Sequence, residues 1–136
     1  LLAALADLGV TRITLQNRSI AKGEALLAEF GLSGTVVEPG SEGPEADLLV
    51  NTSSLGMAGF PPMPPAESPG RAGGAVYDIL TTPPDTDLLK AARARGLATI
   101  DGLAMLIGQA AVAFEKFFGA PPPRQFDAEL RRKLTS

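Results

Sequence analysis

The sequence predicts an α/β fold, a parallel sheet with helices packed against it. Three observations lead there. Short β-branched runs alternate with amphipathic stretches, and the connections between them are mostly short. One run, Asp47-Leu48-Leu49-Val50-Asn51, is apolar through its whole middle, as a strand covered on both faces must be.

Taken in order, Leu1 to Leu8 reads as a helix end, stopped by Gly9 where a left-handed cap is wanted. Arg12 to Gln16 reads as a strand. Ser19 then caps a helix through Phe30, closed by Gly31. Thr35 to Val37 is a second strand and Asp47 to Asn51 a third. The proline-rich stretch 58–71 is a loop, ordered or semi-ordered. Ala75 to Leu80 is a fourth strand, followed by a helix over Asp85 to Arg95 with Asp85 or Thr86 as cap. Ala98 to Ile100 is a fifth. A long helix runs from about Gly102 to Phe118, broken by Gly119 and Pro121-Pro122-Pro123, and a last helix covers about Arg124 to Leu134. No internal repeat is visible.

Composition narrows the function. With 136 residues, 45% apolar and 20% charged, the chain suits one soluble domain. A net charge of −3 and no basic stripe argue against a nucleic-acid partner. No apolar run reaches the roughly 20 residues of a membrane span. Leu1 to Leu5 lacks the cationic start of a signal peptide, and a cytoplasmic location is consistent with all of this. Cysteine and histidine are both absent, which removes disulfides, thiol nucleophiles and the usual metal ligands, so no metal site is expected.

In parallel sheets ligands bind beyond the carboxyl ends of the strands, so the residues there matter most. After the first strand, Gln16-Asn17-Arg18-Ser19 offers no carboxylate for a ribose 2′-hydroxyl. It offers Arg18, with Lys22 one turn on, which suits a phosphate at a helix N-terminus. A capped helix with solvated cations explains the same residues. After the third strand, Asn51 to Met57 is either a polar turn or a cofactor contact. Following the fifth, Gly102, Met105 and Gln109 share one helix face, with Leu103, Leu106, Ile107, Ala110, Phe114 and Phe117 forming an apolar stripe beside it. Gly102 would let a ligand approach the backbone, and Gln109 suits a polyhydroxylated substrate. An exposed Gln beside a core Met is the plain alternative.

The order and spacing of these segments resemble the shikimate dehydrogenase family. Its second strand ends in Asn-Arg-Thr, here Asn17-Arg18-Ser19, and its fourth in Asn-Ala-Thr-Pro-Leu-Gly-Met, here Asn51 to Met57. Its Tyr-Asp-Val-Val-Tyr-Asn-Pro corresponds to Tyr77 to Pro83, and Asp-Gly-Leu-Gly-Met-Leu with a following Gln-Ala to Asp101 to Leu106 and Gln109-Ala110. The resemblance implies a Rossmann-like sheet with helices on both faces. It divides the chain into a partial NADP-binding domain at 1–119 and a C-terminal helix at 120–136 that packs back toward the catalytic domain.

By resemblance, Asn17, Arg18, Ser19 and Lys22 hold the adenosine ribose and 2′-phosphate of NADP, and Ser53 lies along the cofactor. Ile79, Gly102 and Met105 meet the nicotinamide end. Gln109 touches the substrate, a shikimate-like ring acid, and the reaction is hydride transfer between the nicotinamide and a ring carbonyl. Thr81 stands where the family has a substrate-positioning tyrosine, which loosens the link to shikimate.

The family's Gly-x-Gly-Gly loop, its first strand, and its proton-transferring lysine and aspartate do not fall within these residues. In the strand order 3-2-1-4-5-6 the first strand is central, so two inner edges should stand unpaired. The stretch is therefore expected to hold no catalytic residue and to be inactive alone. It should be completed by an N-terminal part or by another chain, and a homodimer is compatible with this. Two alternatives stay open: a non-catalytic α/β binding module, and a relative acting on quinate or another ring acid.

Overall fold

The computed structural model describes residues 1–41, 44–64 and 72–135. The element order is α1 (Leu2–Asp7), β1 (Ile13–Gln16), α2 (Ile20–Glu29), β2 (Gly34–Val37), β3 (Ala46–Asn51), β4 (Ala72–Asp78), α3 (Asp87–Ala94), β5 (Ala98–Ile100), α4 (Gly102–Phe118) and α5 (Asp127–Leu134), with a 3₁₀ turn at Arg124–Phe126 leading into α5. The proline-rich loop expected over 58–71 is described only as far as 64, as irregular chain, and 65–71 lie outside the described residues.

The chain forms two compact units, Leu1–Glu45 and Ala46–Ser136. In the first, β1 and β2 pair in parallel from Ile13 opposite Gly34 to Gln16 opposite Val37. Helix α2 crosses between them and packs on β2, burying Leu27. Gly23 makes that approach possible: a Cβ there would lie 2.5 Å from Val36 Cγ1. Gly9 follows α1 with φ at +70°, in the left-handed conformation that ends a helix cheaply only at glycine.

In the second unit, β3, β4 and β5 form a parallel three-stranded sheet in that order. The core sits where α3 covers it. Leu88, Leu89 and Ala92 pack with Val76, joined by Leu49, Met63 and Leu97. The outer face of α3 carries the Lys90–Asp87 and Arg93–Asp85 pairs, both solvent-exposed and so of small energetic weight. Among the described residues β1 pairs only with β2, and β3 only with β4, so the pairing breaks between β1 and β3 as the expected unpaired edges require.

The α4 stripe is narrower than its periodicity suggests. Leu103 and Ile107 are buried, but Leu106 is 41% and Phe117 83% exposed. The helix extends well past the three-residue strand β5 that precedes it, so its later turns leave the core. Phe114 meets Phe118 instead, with ring centroids 4.5 Å apart.

Candidate functional site

The first unit brings Asn17, Arg18, Ser19 and Lys22 together at the start of α2. The Asn17 N–H donates to the Val37 carbonyl at 3.0 Å, which holds the exit of β1 against β2. Ser19 caps α2, its hydroxyl oxygen accepting from the Lys22 N–H at 3.4 Å. Arg18 and Lys22 are exposed, and among the described residues neither joins an ion pair. The cap is therefore made by Ser19, and two cations remain beside a helix N-terminus whose first N–H groups lack intrahelical partners. This donor set fits a phosphate monoester.

The second unit collects the other predicted residues after its strand ends. Ser53 lies in the turn following β3, Ile79 and Thr81 follow β4, and Gly102 opens α4. The Ile79 N–H donates to the Asn51 carbonyl at 3.2 Å, continuing the β3–β4 pairing one residue past the strand. The backbone of Ile79 and Leu80 is pressed against α4. A Cβ on Gly102 would come within 2.6 Å of the Leu80 carbonyl carbon and closer still to the Ile79 and Leu80 oxygens. The space that glycine leaves is thus filled by the protein's own chain.

Along α4 the predicted face passes from buried Gly102 through half-buried Met105 to exposed Gln109. Gln109 borders a shallow apolar hollow of about 430 Å³ with Gly108, Val112, Ala113 and Lys116. Thr81 is exposed, and the Thr82–Pro83 peptide beside it is cis.

Asp101 caps α4 by accepting from the Ala104 N–H at 2.9 Å, and Arg131 of α5 pairs with both its oxygens. The Arg131 guanidinium holds the carboxyl below its ordinary value, and the Ala104 N–H helps, against an opposing effect of burial. Tyr77 is shifted the other way: burial, and then the nearby Asp101 charge, push its phenol up.

Sequence reasoning missed the most buried polar group near the strand ends. Asp78 is 0% exposed, with Asn51 and Thr86 nearly as buried. Its Oδ1 accepts from Asn51 Nδ2 at 3.0 Å and the Leu80 N–H at 3.2 Å, and its Oδ2 from Thr86 Oγ1 at 2.7 Å. Thr86 in turn caps α3 by accepting from the Leu89 N–H. The available signal was an ionisable residue inside the apolar run Ala75 to Leu80, with a cap-forming Thr just downstream.

Parallel strands joined through helices, with polar turns gathered after the strand ends, define a Rossmann-like α/β domain. Residues 102–126, from the start of α4 through the 3₁₀ turn, match the family model of the shikimate 5′-dehydrogenase C-terminal domain. A shikimate dehydrogenase (NADP(+)) of Sphingopyxis alaskensis is 55% identical over 135 residues, 99% of this chain and 49% of that protein. The structure of shikimate 5-dehydrogenase from Thermus thermophilus in complex with NADP(H) and shikimate superposes with a TM-score of 0.77 at 34% identity, over 96% of this chain and 49% of that one. Quinate dehydrogenase from Corynebacterium glutamicum in complex with NAD gives 0.72 at 28% identity, over 94% and 48%. The chain belongs to the shikimate dehydrogenase family, and it spans about half the length of the relatives it matches.

Proposed function

We propose that this chain is the cofactor-binding half of an NADP-dependent, cytoplasmic oxidoreductase that interconverts 3-dehydroshikimate and shikimate. The observation that carries this is the start of α2, where Ser19 satisfies the cap and Arg18 and Lys22 remain exposed, in no ion pair among the described residues. Two cations without a neighbouring carboxylate in the 16–19 turn favour a 2′-phosphate over a free 2′-hydroxyl. Asn17, Arg18, Ser19 and Lys22 hold the adenosine end. Ser53, Ile79 and Met105 serve the nicotinamide end, Gly102 acts there by letting the Ile79–Leu80 backbone pack against α4, and Gln109 and Thr81 face the substrate. The bound dinucleotide supplies the hydride, while these residues bind and orient it. Proton transfer falls to groups outside this chain, so the 136 residues alone do not turn over substrate. The segment 120–136 packs against the rest of the full-length protein.

The substitution at Thr81 favours a second reading, a relative that accepts quinate or another ring acid. A site that loses a phenol partner loses much of its discrimination. Steady-state oxidation of shikimate and of quinate by the full-length protein separates the two. A shikimate enzyme shows the larger kcat/KM with shikimate, and Thr81→Tyr widens that preference. A larger kcat/KM with quinate that Thr81→Tyr leaves unchanged contradicts the shikimate assignment.

A further inference from the structure

The hydrogen bonds around Asp78 have a fixed direction, and that direction reaches the surface at Ser53. The Ser53 backbone N–H can only donate, and it lies 2.9 Å from Asn51 Oδ1. This orients the Asn51 amide, placing Nδ2 against the Asp78 carboxylate at 3.0 Å, where a donor is required. Asn51 Oδ1 is therefore an acceptor, so the Ser53 hydroxyl, 2.7 Å away, spends its proton there. The Leu55 N–H, at 3.2 Å, occupies one lone pair of the same oxygen. One lone pair of Ser53 Oγ is left, and Ser53 is exposed.

We infer that Asp78 is a positioning residue which, through Asn51, makes Ser53 an obligate hydrogen-bond acceptor. Ser53 therefore takes a donor group of the cofactor, a ribose hydroxyl or the carboxamide N–H, and not a phosphate oxygen. The inference rests on the cofactor reading above and sharpens it. A phosphate oxygen offered to this serine would face a lone pair. A hydroxyl or amide finds an acceptor already aimed, at no cost in reorganisation. The same carboxylate fixes the start of α3 through Thr86 and the Leu80 N–H on the strand exit that carries Ile79. One buried group thus holds the 51–55 turn and the 78–80 backbone in a single arrangement.

The test is equilibrium binding to the full-length protein of NADPH and of adenosine 2′,5′-bisphosphate, which lacks the nicotinamide half. Ser53→Ala and Asp78→Ala, which removes the acceptor that Asn51 Nδ2 meets, should each weaken NADPH about tenfold, the scale of one net hydrogen bond, and leave the bisphosphate within about twofold. The double variant should lose no more than either single one, because both break the same relay. Ser53→Thr, which keeps the hydroxyl, should bind like the parent. An acetylpyridine analogue of NADPH lacks the carboxamide N–H but keeps the ribose hydroxyls. If the Ser53→Ala loss persists with it, the donor is a ribose hydroxyl; if the loss disappears, the donor is the carboxamide. Unchanged NADPH affinity in Ser53→Ala, a variant at an exposed position that does not depend on Asp78 tolerating change, overturns the inference. Additive losses, or equal losses for both ligands, also overturn it. A parent protein that binds neither ligand refutes the underlying cofactor reading instead.

Discussion

Gly102 and Gly108 sit on the same helix and respond oppositely to a methyl group. At Gly102 a Cβ would meet the backbone of Ile79 and Leu80, which cannot rotate away as a side chain can, while at Gly108 nothing lies within 4 Å. Gly102→Ala should therefore lower stability by about 1–3 kcal/mol as an overpacking change, despite alanine's better helix propensity. Gly108→Ala should raise it by about 0.5–1 kcal/mol. Chemical denaturation of the two variants checks the pair, and equal effects would contradict this account of Gly102. Sequence alone pointed to Gly102 for a different reason, the approach of a ligand. Residue spacing marks where a side chain is excluded without saying what excludes it. Asp78 was invisible for a related reason: burial and partners decide its role, and its three donors come from Asn51, Leu80 and Thr86, of which Asn51 is distant in sequence.

At the scale of elements, α4 and α5 are coupled through Asp101. Its carboxyl both caps α4 and pairs with Arg131 of α5, and the guanidinium lowers its pKa. A carboxyl whose pKa is depressed by folding contributes stability that is full above its ordinary range near 4 and is lost as pH falls through the lower folded value. Arg131 is 42% exposed, so solvent screening keeps the pair's own share small. Asp101→Asn should keep the cap, release α5 and flatten that acid-side portion of the stability curve. Asp101→Ala should cost about 1 kcal/mol more, the worth of a cap. Thermal unfolding of the three proteins between pH 3 and 7 is the measurement. The elements themselves were largely legible. Ser19, Gly9 and the alternation of strand and helix are local signals, and Thr86 was one of two caps expected for α3. The α4 stripe misled because a helix repeats every 3.6 residues along its whole length, whereas the core covers only its first turns, leaving Phe117 outside.

For the whole molecule, the strands of the described residues pair in two separate sheets, β1 with β2 and β3 with β4 and β5, and each sheet carries its own cluster of predicted residues. Asn17, Arg18, Ser19 and Lys22 lie in one compact unit, and Ser53, Ile79, Gly102 and Met105 in the other. The unpaired edges could be anticipated because the motif order resembled a family with a known strand order. The hydrophobic pattern alone gives five strands and no statement of which neighbours meet. The cofactor proposal was legible for a simpler reason. It turns on which charges follow β1, and Arg18 and Lys22 can be read without any tertiary contact. Substrate choice is less legible: Gln109 borders a hollow that Thr81 does not line, and the spacing of neither residue says what it would meet. The central claim is therefore tested best by the affinity of the full-length protein for NADPH and NADH, measured on the parent and on Arg18→Ala. The parent should bind NADPH at least about tenfold more tightly, and Arg18→Ala should remove most of this preference while leaving NADH unchanged. Equal affinities in the parent, or a preference that survives Arg18→Ala intact, would contradict it.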